Sequence, residues 1–217
     1  MGLILMNLFL QIVFLISAYL VGSIPWGFLF GKMKGIDIRE HGSKNIGTTN
    51  TGRLLGTKYA IFTYILDMAK GALFVFLFNF NILPKEYCLL SPMLYGFAAV
   101  LGHTFPIFLN FKGGKAVATG GGVIFGYSPL FLLILIAIFF IVTAITKYVS
   151  AGSLAGASGA LIGSIILTFV NNGFVDLDQK YNIYFPIGVV IVVVIIFIRH
   201  KTNIDRIKNN CESKVKW

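Results

Sequence analysis

Only 12% of the 217 residues are charged, and just eight of them are Asp or Glu. A soluble domain carries roughly 25% charged residues, so this composition leaves almost no material for one. Cysteine is nearly absent. Cys88 and Cys211 fall on opposite sides of the topology read below, so no disulfide is implied. No Cys/His/Asp cluster has metal-ligand spacing, and neither a metal nor another cofactor is expected. The period-two alternation of a barrel strand is missing. So are an early Lys or Arg and an A-x-A cleavage signal at the N-terminus, so the first apolar run reads as a retained span.

Catalytic signatures are also missing. There is no Gly-x-Ser-x-Gly elbow. His41 has no aspartate at the spacing of a His-x4-Asp acyltransferase. The paired-aspartate signature of a CDP-alcohol phosphotransferase is absent. Lys115 is followed by Ala116, so Gly113-Gly114-Lys115 is not a Walker A loop and nucleotide hydrolysis is unsupported.

What remains is 57% hydrophobic with a mean hydropathy of +0.84. A bilayer tolerates only helices or closed barrels, so the chain reads as an all-α integral membrane protein forming one polytopic domain over residues 1–217. Clear spans are Leu3–Ile24, Tyr59–Phe80, Leu89–Phe111, Pro129–Ile145, Ser153–Val170 and Ile183–Ile198, each near the ~20 residues a crossing needs. Ala116–Gly126, at 11 residues, is short for one. Gly152, Gly156, Gly159 and Gly163 lie near one face of their span and suit close helix packing.

The net charge of +10 is explained by membrane topology better than by nucleic acid, since no soluble basic domain exists to bind it. Six Lys or Arg lie in 31–58 and six in the tail 199–217, Lys216 among them. Three more, Lys112, Lys115 and Lys147, occupy the connections at 112–116 and 146–152. Placing these fifteen of the 18 in the cytoplasm puts the N-terminus outside and the C-terminus inside. An even number of crossings must then separate Lys115 from Arg199. Ala116–Gly126 therefore crosses as a short Gly-rich helix that turns at Tyr127-Ser128-Pro129, giving a seven-helix bundle. A five-crossing model with two re-entrant pieces also satisfies parity.

The donor-rich pieces face one compartment. Gly42 to Arg53 offers hydroxyls, amides and an arginine suited to phosphate or glycerol oxygens. Lys112 to Gly122 combines lysines with glycines whose N–H groups could converge on an anion. His200 and Asn203 share a face if the last helix continues, and His200 could serve as acid, base or donor. Asp67 and Lys70 sit at i, i+3 inside a span, where an unpaired charge costs roughly 2.5–3.5 kcal/mol or more. Mutual pairing is expected. His103, beside Thr104 and Pro106, reads as a buried donor.

Together these pieces resemble the bacterial membrane glycerol-3-phosphate acyltransferases that use acyl phosphate as donor. The resemblance covers nearly the whole chain. It runs from Gly22-Ser23-Ile24-Pro25-Trp26-Gly27 through Gly42-Ser43-x-Asn45-x-Gly47-x-Thr49-Asn50-x-x-Arg53, Leu66-Asp67-x-x-Lys70-Gly71 and Gly102-His103-x-Phe105-Pro106. It continues with Phe111 to Thr119, Tyr148-Val149-Ser150 and His200-x-x-Asn203-Ile204-x-Arg206. Asn210, where the family usually has glycine, and Lys44, commonly a small residue, depart from it.

The resemblance implies transfer of a fatty acyl group from acyl phosphate to the sn-1 hydroxyl of glycerol 3-phosphate, in phospholipid synthesis at the bacterial inner membrane, with the site toward the cytoplasm. It implies catalytic roles for Ser43, Arg53, Lys115, His200 and Asn203. Thr49, Asn50, Gly113 and Gly114 would contact substrate, and Glu212 would be structural beside the Asp67–Lys70 pair. A serine after the fifth span belongs to the site; of Ser150 and Ser153, Ser153 is preferred. Either the donor's own phosphate or His200 takes the hydroxyl proton. The substrates and membrane lipids are the only partners expected, with no nucleic acid and no obligate protein partner. A transporter or channel for phosphorylated metabolites is the competing reading, but its site would lie at the midplane.

Overall fold

The computed structural model describes residues 2–172 and 180–215, so Lys216 lies outside it. Among these residues every regular element is helical. The chain folds as two compact units, Met1–Gly126 and Tyr127–Trp217.

The first unit holds α1 (Gly2–Gly22), α2 (Trp26–Met33), α3 (Thr48–Leu55), α4 (Thr57–Asn79), α5 (Pro92–Thr104) and nearly all of α6 (Val117–Tyr127). α1 packs on α5 and α4. Glycine sets how closely these helices approach. A Cβ on Gly22 would strike the Ala99 backbone, and one on Gly102 the Tyr19 carbonyl. α6 meets α4 in the same way, Gly71 against the Thr119 carbonyl and Gly122 against the Met68 carbonyl. Small residues permit this backbone contact, on which helix association in lipid depends.

The second unit holds α7 (Pro129–Thr146), α8 (Val149–Val170), α9 (Tyr184–Arg199) and α10 (Lys201–Lys208). The expected turn opens α7: Ser128 Oγ accepts the Phe131 N–H at 3.2 Å, and Pro129 sits in the first turn. The glycine face of α8 packs on α7, with Gly152 against Thr143 and Phe139 and Gly163 against the Phe131 ring.

Among the described residues five stretches are long and apolar enough to cross a membrane, α1, α4, α7, α8 and Pro92–Leu109 (α5 with the turn after it), and α9 with α10 makes a sixth if that bent pair is one span. Their outer faces stay bare, as at Leu3 (76% exposed) and Phe169 (74%), which suits hydrocarbon and not water. α6 is a helix as expected. At 1.5 Å per residue it is about 16 Å long, half of a hydrocarbon core.

Three details refine the expected layout. The span Leu89–Phe111 appears as Pro92–Leu109, with a break inside it. α5 ends at Thr104, and a single 3-10 turn covers Ile107–Leu109, because Pro106 cannot donate to a continuing ladder. The stretch 31–58 is no plain loop, since it contains α3. The last helix does not run on through His200: α9 and α10 meet there at a 52° bend.

Gly122→Val is expected to lower the melting midpoint in detergent by about 4 °C or more, through overpacking of roughly 1–3 kcal/mol. Gly156→Ala is the control, because its methyl would lie 3.6 Å from Leu135 O, in ordinary contact. Equal midpoints measured by differential scanning fluorimetry would contradict the close α4–α6 contact.

Candidate active site

The donor-rich stretch 38–53 is an ordered structure. Ile38 and Ile46 are buried with Leu109, and Phe28, Ile36 and Leu54 pack around them. Leu109 lies three residues before Lys112, so this small apolar core draws the two donor-rich loops together at one end of the first unit. At the loop's edge Arg39 grips Asp37 through Nε (2.9 Å) and Nη2 (2.6 Å), and these bonds hold the Asp37 carboxyl down to about 2.

Asn50 organises the turn that carries Ser43. Its Oδ1 accepts the Ser43 N–H at 2.8 Å, and its Nδ2 donates to Ile38 O (2.9 Å) and His41 O (3.1 Å). The side chain is 1% exposed. Asn50, expected among the substrate contacts, is thus a brace for the loop. Thr49 and Arg53 stand one turn apart on α3 and both are exposed. Arg53 has no partner among the described residues, so all its donors are open to a ligand.

Gly113 and Gly114 also differ from expectation. Their N–H groups donate to Thr104 O (3.1 Å) and His103 O (3.0 Å), so neither is directed at an anion. These residues are glycines because the loop lies directly on the 103–106 backbone and the His103 ring. Lys115, half-buried, follows them, and Ala116 takes a left-handed φ of +62° before α6 begins. Lys115 therefore stands at the N-terminal end of a helix, where exposed N–H groups favour negative charge.

Asp67 and Lys70 pair at 2.8 Å as expected, both buried. Lys70 Nζ also donates to Ile24 O at 2.8 Å. His103 is buried beside them, with Nδ1 3.7 Å from Asp67 Oδ1.

The second unit assembles its own polar cluster. Asn203 Nδ2 donates to Glu212 Oε1 at 2.6 Å, Ser150 Oγ to the same oxygen at 3.0 Å, and Arg206 Nε to Oε2 at 2.8 Å. The Val215 N–H closes the tail onto Lys147 O at 2.9 Å. Glu212 thus ties three side chains to the returning tail. The serine it engages is Ser150 and not Ser153, whose hydroxyl bonds Val149 O at 2.9 Å within its own helix. His200 is buried, with Nδ1 2.8 Å from Ile196 O. A carbonyl only accepts, so Nδ1 carries a proton.

Burial alone would raise the Glu212 carboxyl. The bonds from Asn203, Ser150 and Arg206 outweigh it and hold the group below its usual 4.5. With the folded value depressed, this clamp is fully present above pH 4.5 and is lost as pH falls through the folded value. A carboxyl-carbon NMR titration is expected to place Glu212 below 4.5, and Arg206→Ala to raise it. A wild-type value at or above 4.5 would contradict the clamp.

The likeness to known proteins is extensive. A family model described as glycerol-3-phosphate acyltransferase matches residues 12–210. A glycerol-3-phosphate acyltransferase of Geobacillus kaustophilus is 46% identical over 94% of this chain and 95% of its own length. One from Lactococcus lactis is 45% identical over 94% of this chain and 92% of its own. Among solved structures, the integral membrane glycerol 3-phosphate acyltransferase PlsY in its glycerol 3-phosphate form superposes with a TM-score of 0.83. It is 32% identical and covers 95% of this chain and 96% of that one. The same protein in its lysophosphatidic acid form gives 0.79 at 31% identity, with 95% of each chain covered. Matched across both sequence and fold, the chain belongs to the glycerol-3-phosphate acyltransferase family.

Proposed function

We propose that this protein transfers a fatty acyl group from acyl phosphate to the sn-1 hydroxyl of glycerol 3-phosphate, releasing lysophosphatidic acid and inorganic phosphate in phospholipid biosynthesis. The observation that carries the reading is the packing of the Ser43–Arg53 turn against the 107–115 segment through Ile38, Ile46 and Leu109. That packing ties the stretch bearing Ser43, Thr49 and the partnerless Arg53 to the stretch that leads into Lys115. These are suitable holders for two phosphate-bearing substrates.

What the chain can and cannot do supports an acyl phosphate as donor. An acyl phosphate is a mixed anhydride, so its phosphate is already a good leaving group. Such a reaction needs positioning and charge neutralisation more than a protein nucleophile. The buried serines are not poised as nucleophiles: Ser150 Oγ is given to Glu212 and Ser153 Oγ to Val149 O. Arg53 and Lys115 would hold the phosphates, with Ser43 and Thr49 orienting the glycerol hydroxyls. His200 and Asn203 keep the roles the resemblance implies. The sn-1 oxygen attacks the carbonyl carbon, the carbon–oxygen bond to phosphate breaks with its electron pair on phosphate, and the hydroxyl proton passes to a phosphate oxygen. The membrane is the bacterial inner membrane. α6 is the short seventh crossing, the N-terminus lies outside, and the basic loops and C-terminus lie in the cytoplasm with the site.

Protein in lipid with glycerol 3-phosphate is expected to form lysophosphatidic acid from palmitoyl phosphate and none from palmitoyl-CoA. Activity with palmitoyl-CoA alone would overturn the donor. Silence with both, in folded protein, would overturn the reading. His200→Ala at saturating substrate separates the two proton routes. It is expected to lose less than the roughly 10²–10⁴-fold a general base supplies, and a full loss in that range would make His200 the base.

A further inference from the structure

A fully buried ion pair is an expensive way to join two helices. Replacing such a pair with apolar side chains of similar volume is often neutral or stabilising, and charge inside a membrane segment marks function more often than architecture. Asp67 and Lys70 are 2% and 4% exposed, and His103 beside them is 5% exposed. The reaction proposed above uses none of the three.

Their surroundings lead to the phosphate loop from two sides. Asp67 Oδ1 lies 2.8 Å from Lys70 Nζ and 3.7 Å from His103 Nδ1. The opposite edge of the His103 ring lies on Gly114, where a Cβ would meet Nε2 and come within 2.7 Å of Cε1. The Gly114 N–H is tied to the His103 carbonyl at 3.0 Å, and the Gly113 N–H to Thr104 O at 3.1 Å. The imidazole is thus held between a carboxylate and the backbone one residue before Lys115. Four residues after Lys115, the Thr119 carbonyl rests on Gly71, one residue beyond Lys70 on α4. Both flanks of Lys115 are braced by the 67–71 stretch, the leading one through His103 and the trailing one directly. Lys70 Nζ, bonded to Ile24 O at 2.8 Å, fixes the pair to the segment that precedes α2.

We infer that Asp67, Lys70 and His103 form a positioning network that sets the backbone of Gly113 and Gly114 and thereby places the Lys115 ammonium for substrate phosphate. The charges make this placement directional. The carboxylate, 3.7 Å from Nδ1, biases the imidazole's orientation through charge, and the ring packs against the Gly114 backbone. An apolar trio could fill the same volume without orienting a ring. The inference rests on the proposed role of Lys115 as a phosphate holder.

The test is a kinetic double-mutant cycle on the full chain in lipid nanodiscs, with glycerol 3-phosphate and palmitoyl phosphate each varied. Wild-type turnover and a raised KM in Lys115→Ala establish the underlying reading; failure of either sinks that reading, and the network with it. Given both, Asp67→Asn is expected to raise KM for the substrate whose KM Lys115→Ala raises, by about tenfold, with kcat changed less than about threefold. Asp67→Asn in a Lys115→Ala background is expected to add nothing, because one effect acts through the other. Asp67→Asn leaves a buried cation, so Gly114→Ala provides a second approach. It keeps the ion pair, drives a methyl into the His103 ring, and is expected to give the same KM shift and the same non-additivity. Additive losses, or a fall in kcat with KM unchanged in both variants, would show a purely structural cluster and overturn the inference. If Asp67→Asn does not fold, Gly114→Ala decides alone.

Discussion

Water is missing where most of this chain resides, and each polar group in the hydrocarbon must find its partner within the protein. Thr63, Thr104 and Ser153 therefore return their hydroxyls to carbonyls four residues back, at 2.8–2.9 Å. Asp67 and Lys70 take each other, and Lys70 takes the Ile24 carbonyl as well. Since apolar burial does not drive helices together in lipid, close backbone contact must do so. Glycine at 22, 71, 102 and 122 makes that contact possible. The same constraint drives the chemistry outward. The cations without such internal commitments, Arg53 foremost, stand at the ends of the helices, where an aqueous substrate can reach them.

A division of labour follows within the motifs themselves. Asn50, Gly113, Gly114 and Glu212 sit among residues suited to substrate, yet the bonds described above tie them to the protein itself. Asn50 holds the turn that presents Ser43, the two glycines lie on residues 103–106, and Glu212 gathers Asn203, Ser150 and Arg206. Such bracing gives preorganisation, which lowers a barrier by holding the reacting groups in place.

The helices were legible in the sequence because long apolar runs leave few alternatives, and five of the six clear spans appear as helices within four residues of their expected ends. The sixth, 89–111, appears as the candidate span Pro92–Leu109, with a break near Pro106 that hydropathy does not register. The Asp67–Lys70 pair could be read from its spacing and the cost of a lone charge in lipid. That Ser150 and not Ser153 meets Glu212 could not, since both lie near the start of α8 and only the returning tail, thirteen residues past α9, distinguishes them. The roles of Gly113 and Gly114 were hidden for a similar reason. Glycine beside lysine looks the same whether it bares an N–H to an anion or lets two backbones touch. His103 was recognisable as a buried donor, but its place against Gly114 depends on how the chain folds back after Pro106.

On the proposed reading, a site that holds and neutralises, with Ser150 given to Glu212 and Ser153 to Val149 O, should pass the acyl group directly from donor to acceptor without an acyl-enzyme. The decisive measurement is the pre-steady-state release of phosphate from palmitoyl phosphate mixed with protein in the absence of glycerol 3-phosphate. Direct transfer predicts no burst, and turnover that begins only when the acceptor is added. A burst equal to the concentration of sites, leaving palmitate bound to the protein, would contradict it.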